Sequence, residues 1–178
     1  MNPPLQRAST FLFDTVESIE AAKKARFEPD NVFYARLGTP NAYEFETAIS
    51  ALEGGTHSLS VPSGLAACVL PALAYAKPGT RVLVTDNVYD PARGSFSGFI
   101  ARNGVEVVYF DPRIGAGIAD LMTDNTSLVY LESPGSLTFE LHDIPAIAAA
   151  THAKGARVVC DNTYATGYFH KALALGAD

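Results

Sequence analysis

The chain has 178 residues and a formal net charge of −6, with 48% hydrophobic and 18% charged residues. That balance suits one soluble globular body with a sizeable core and leaves no basic footprint for nucleic acid. The opening MNPPLQRAST lacks the apolar core of a signal peptide, and no stretch is long and apolar enough to span a bilayer, so a cytoplasmic protein is expected.

The first forty residues carry no strand of clear period. Met1 to Pro40 therefore reads as an extended arm with little core of its own, of the kind that packs on a second subunit. A helix-like stretch begins near Asn41. From Thr56 the pattern changes: HSLSVPS reads as a short strand, and GLAACVLPALAYA as a helix opened by Gly64 and stopped by KPGT. RVLVT is a strand, DPARGSFSGFIARNG a helix closed by Gly104, and VEVVYF and SLVYLES are strands. DIPAIAAATHAKG is a helix with Asp143 as its N-cap, Pro145 in its first turn and Gly155 at its end. ARVVCD is the last clear strand. Strands alternating with helices predict an α/β fold, a mostly parallel sheet covered by helices, over residues 41–178. The closing Gly176-Ala177-Asp178 reads as the lead into another strand, so the chain is expected to stop inside an α/β domain.

Several strand ends deliver chemistry. In VVCDNTYATG an apolar run ends in Asp161, followed by Asn162, Thr163 and Tyr164. A carboxylate at the edge of such a core is costly without a cationic or hydrogen-bonding partner. Asp161 is either a cap or turn residue, or it faces a bound cation in the crevice at the sheet's carboxyl edge. Ser63-Gly64 leads into a helix whose first-turn N–H groups suit a phosphate; the alternative is an ordinary tight turn. Tyr89 follows RVLVT and is placed either to stack on a flat ring or to cap the surface. Tyr34 and Arg36, one residue apart, would point the same way from an extended segment and could meet one phosphate; otherwise they are a buried Tyr beside a solvated Arg. Glu132-Ser133-Pro134 ends a further strand. Cys68 and Cys160 lie in apolar sequence and lack metal or redox spacing, and His57, His142, His152 and His170 lack ligand spacing. The nicotinamide, P-loop and α/β-hydrolase signatures are missing from the sequence.

Five segments, YARLGTPNAYEFETAISALEGG, VPSGLAA, DNVYDPARG, YLESPGSLTFELHDIPAI and VVCDNTYATG, occur in the order and spacing of the cysteine/methionine-metabolism family of pyridoxal-phosphate enzymes, which the chain resembles over its whole length. The fourth is most similar to the family's bacterial cystathionine β-lyase branch. Ser136-Leu137 stands where other members usually carry Asn-Pro. The resemblance implies a PLP-transferase type large domain preceded by an arm, with pyridoxal 5'-phosphate as cofactor. It implies that Asp161 pairs with the protonated ring nitrogen, that Tyr89 stacks on the ring, and that Ser63, Gly64 and Leu65 receive the phosphate, with Thr163 also at the cofactor. Tyr34 and Arg36 would reach the phosphate in a neighbouring subunit of a tetramer built from active dimers, with Tyr34 also facing the substrate amine. It implies β-elimination of cystathionine in methionine biosynthesis, with γ-lyase, γ-synthase or another cysteine-conjugate β-lyase as alternatives. The family's Schiff-base lysine follows the point where this sequence ends; Lys23, Lys24, Lys77, Lys154 and Lys171 do not match its motif. A non-catalytic binding or assembly protein is the reading of another class.

Overall fold

The computed structural model describes residues 4–28 and 30–178, so the arm's first three residues and Pro29 lie outside the described residues. The chain divides into two compact units, Met1–Ser60 and Val61–Asp178.

The first unit contains two helices. Helix α1, Val16–Lys24, was not expected from the sequence. The Thr15 hydroxyl accepts from the Ser18 N–H, the Ser18 hydroxyl accepts from the Thr15 N–H, and Glu17 and Lys23/Lys24 complement the helix ends. No residue of α1 is buried, so apolar periodicity could not reveal it. Helix α2, Pro40–Glu53, starts where expected, with Thr39 as N-cap, and ends at Gly54 in the left-handed region (φ 77°). It is tied locally: the Glu46 carboxylate accepts from the Ser60 N–H at 2.7 Å and its hydroxyl at 2.6 Å. The Tyr43 hydroxyl donates to the Asn31 carbonyl at 3.0 Å. Residues 57–61 form no strand, contrary to the alternation of His57–Val61; the segment runs without a hydrogen-bonded strand alongside it.

The second unit begins with α3, Gly64–Tyr75, followed by β1, Arg81–Thr85. Helix α4, Asp90–Ser95, continues as a π-helical stretch, Phe96–Ile100. Strand β2, Glu106–Phe110, leads through the 3-10 turn Gly115–Leu121 into β3, Thr126–Glu132. Helix α5, Ile144–Ala153, precedes β4, Arg157–Asp161; α6, Thr166–Phe169, and a 3-10 turn at Leu173–Leu175 follow. The Asp143 carboxylate caps α5 by accepting from the Ala146 N–H, as its sequence position suggests.

The four strands are all parallel, in the order β2-β1-β3-β4. Burial on both faces explains their near-continuous apolar sequences. Leu83, Val129, Leu131 and Val158 pack on one face with Ile118, Ile144 and Ile147. Val82, Val84, Leu128 and Tyr130 pack on the other with Cys68, Ala72, Ala92, Phe96 and Ile100. The strand period of two assigns each side chain to its layer. The chain moves outward from β1 to β2 and then returns to the other side of β1 with β3. That reversal opens a crevice at the carboxyl ends of β1 and β3, where open α/β sheets take their ligands.

Candidate functional site

Glu132 and Asp161 end β3 and β4 directly opposite each other in register. Both follow residues of the opposite layer by one step, so both carboxyl groups project to the face covered by α3 and α4. Asp161 is met by hydrogen bonds on both oxygens. The Thr163 N–H and hydroxyl donate to Oδ1 at 3.0 and 2.5 Å. The Cys68 thiol, from α3, donates to Oδ2 at 3.2 Å. This last contact was missed in the sequence, where Cys68 reads only as one of two thiols in apolar surroundings. It joins residues 93 positions apart, and no spacing rule reports such a pair.

Glu132 is 3% exposed, and its Oε2 accepts from the Tyr89 backbone N–H at 2.6 Å. Burial and the neighbouring Asp161 charge push the Glu132 carboxyl up to about 7, against the lowering effect of the Tyr89 N–H. The bond anchors the backbone at the start of α4 while leaving the Tyr89 ring 43% exposed at the carboxyl edge.

The first turn of α3 supplies a third component. Ser63 is the N-cap and accepts from the Ala66 N–H at 3.2 Å. The N–H groups of Gly64 and Leu65 have no acceptor within the helix, as in the first turn of any α-helix. A Cβ added at Gly64 would meet nothing within 4 Å, so the backbone there faces open space. Cys68 lies one turn further along the same helix. Its bond to Asp161 therefore ties an anion-binding helix end to a fixed carboxylate.

The segment after β3 is locked to the segment after β1. The Thr85 hydroxyl donates to Asn87 Oδ1 at 2.6 Å, so it accepts from His142 Nε2 at 3.1 Å. That assigns the His142 proton to Nε2, and burial lowers the imidazole's proton affinity, keeping the ring neutral. Asn87 Nδ2 donates to Glu140 Oε2 at 3.1 Å, and the Ser136 N–H donates to the Asn87 carbonyl at 2.8 Å.

Tyr34 and Arg36 belong to the first unit. They sit on a turn, with the Leu37 N–H donating to the Tyr34 carbonyl at 2.8 Å, rather than in the extended segment expected. The turn still brings them together: the Arg36 guanidinium carbon lies 5.3 Å from the Tyr34 ring centroid. A single bridge pairs Tyr34 with Thr10. All five lysines are exposed. Among the described residues no helix is long and apolar enough to cross a membrane, and no cluster of His, Cys, Asp and Glu has a metal-binding arrangement.

The carboxylate, the aromatic ring and the helix N-terminus form a donor set that fits a planar cationic heterocycle carrying a phosphate. A Rhizobium johnstonii protein provisionally named a cystathionine beta-lyase is 44% identical over the whole of this chain and 43% of its own length. Cystathionine beta-lyase MetC of Escherichia coli is 40% identical over the whole chain and 45% of its length. L-methionine gamma-lyase of Porphyromonas gingivalis is 35% identical over 98% of this chain and 44% of its own. The crystal structure of metB from Corynebacterium glutamicum superposes with a TM-score of 0.87 at 27% identity, covering 99% of this chain and 43% of that one. The chain thus spans somewhat under half the length of these relatives. Residues 1–178 match throughout the Cys/Met metabolism PLP-dependent enzymes, and the chain belongs to that family.

Proposed function

We propose that the complete protein is a cytoplasmic pyridoxal-phosphate carbon–sulfur lyase that cleaves cystathionine by β-elimination to homocysteine, pyruvate and ammonia, in methionine biosynthesis. The observation that carries this reading is Asp161, a carboxylate held on one oxygen by Thr163 and on the other by Cys68 of α3, the helix whose first turn is open. The identities of 44% and 40% to cystathionine β-lyases support the substrate.

When bound, pyridoxal phosphate supplies the electron sink for the carbanion formed at the substrate's α-carbon. The negative charge of Asp161 keeps a proton on the ring nitrogen, and Thr163 holds the carboxylate in place. The Tyr89 ring covers one face and excludes water from it. The N–H groups of Gly64 and Leu65, with Ser63, receive the phosphate at the positive end of α3. Tyr34 and Arg36 act on a neighbouring subunit's site, Arg36 on the phosphate and Tyr34 near the substrate amine. None of the chain's five lysines falls in the motif of the family's Schiff-base lysine.

The complete protein loaded with cofactor should form pyruvate and homocysteine from cystathionine. Formation of 2-oxobutanoate and cysteine would assign γ-elimination, the reading favoured by the 35% identity to a γ-lyase. Formation of neither overturns the lyase reading. Asp161→Ala should cost about a hundredfold or more in turnover while some cofactor stays bound; near-parental turnover would remove Asp161 from the site.

A further inference from the structure

We propose that Cys68 is a positioning residue for Asp161, its thiol donating to the carboxylate oxygen that Thr163 leaves uncovered and so fixing the plane in which the carboxylate meets the cofactor's ring nitrogen. The inference rests on the pyridoxal-phosphate reading of the site.

An ionised carboxylate carries no proton, so the 3.2 Å contact between Cys68 Sγ and Asp161 Oδ2 has only one possible donor. Thr163 contributes two donors, both to Oδ1. The oxygens are therefore held from different elements, and the carboxylate cannot turn about its terminal torsion without breaking one set. The thiol is 8% exposed, with the Tyr130 hydroxyl beside it. Burial pushes the thiol up to about 11, so the proton stays on sulfur at neutral pH. The position of Cys68 adds a second consequence. It sits one turn beyond Gly64 and Leu65, on the helix whose first turn faces the phosphate. Its bond to the end of β4 fixes the span between the two ends of one ligand, and such preorganisation needs a locked support behind the contacting groups.

Two measurements on the complete protein test this. The first is the infrared S–H stretching band, read without cofactor. The band lost in Cys68→Ala should lie at low wavenumber in the parent and move up in Asp161→Ala. A band indifferent to Asp161→Ala overturns the hydrogen bond, whatever the cofactor does. The second is the apparent dissociation constant for pyridoxal phosphate. Cys68→Ala removes the donor without adding bulk, and should weaken binding by about three- to tenfold; Cys68→Ser should restore it to within about twofold. Parental affinity in Cys68→Ala sinks the positioning role while the site reading stands. Absence of binding by the parent sinks the site reading and the inference with it, and the infrared band separates that failure from loss of the thiol contact.

Discussion

Glu132 and Asp161 are opposite each other on neighbouring strands, yet their surroundings divide their roles. Asp161 has three donors and accessible space; Glu132 is sealed from water and has the Tyr89 N–H as its donor. With its carboxyl raised to about 7 from an ordinary 4.5, Glu132 holds a proton in the folded protein that the unfolded chain has already released. Stability from this group is full below the unfolded value and is lost as pH rises through about 7. Glu132→Gln keeps an acceptor for Tyr89 and removes the ionisation. Denaturant unfolding of the cofactor-free protein should show the variant gaining about 1–3 kcal/mol over the parent at pH 8 relative to pH 5. An equal difference at both pH values would mean that Glu132 does not titrate there. At this scale the sequence displayed the strand-end acids and Tyr89, because each follows an apolar run. It did not display Cys68 as the donor to Asp161, or the backbone bond from Tyr89 to Glu132, because both join distant segments only in the folded sheet.

The four paired strands and the helices between them were legible because double-sided burial writes long apolar runs and because Asp143, Gly104 and Gly155 mark helix ends. The two elements misread show what such signals lack. Helix α1 is held by its ends and buries nothing, so its evidence lay in Thr15 and Ser18 rather than in any apolar stripe. The His57–Val61 stretch alternates like a strand, but a strand exists only with a hydrogen-bonding neighbour, which one segment's sequence does not contain. The π-helical turn at Phe96–Ile100 was also invisible, since it buries Phe96 and Ile100 much as an α-helix would. The connection after β3 belongs to this scale too. A Cβ on Gly135 would fall 1.8 Å from Asn87 Nδ2 and 2.3 Å from its Cγ. Asn87 is not at liberty to swing away, being bonded to Thr85 and Glu140. Gly135→Ala should therefore destabilise the protein by about 1–3 kcal/mol, seen as a lower denaturation midpoint with unchanged slope. A neutral result would show that the clamp between the two segments yields easily.

At the scale of the molecule, the apolar burial is uneven. Among the described residues, every buried apolar side chain lies within Val61–Asp178, whereas Leu5, Leu12, Val16 and Phe27 of the first unit are exposed. A segment that buries so little of itself draws its order from other surfaces. We infer that the surface is a second copy of the protein, and that Tyr34 and Arg36 are the groups delivered there. Arg36→Ala should weaken pyridoxal-phosphate binding by about tenfold, the worth of one charge-assisted contact, with little change in unfolding. The decisive measurement mixes two impaired variants at a pyridoxal-phosphate concentration well below the dissociation constant of Arg36→Ala, where neither turns over appreciably alone. Subunits with Arg36→Ala keep their own Asp161, and subunits with Asp161→Ala keep their own Arg36. In a mixed dimer one site then combines an intact Asp161 with the Arg36 of the other subunit, while the second site lacks both. If the arm acts across the interface, random reassembly forms mixed dimers as half of the population, each with one good site, and activity should recover to about a quarter of the parental value. Activity that stays at the level of the separate variants, while labelled subunits demonstrably exchange, would place Arg36 in the site of its own subunit.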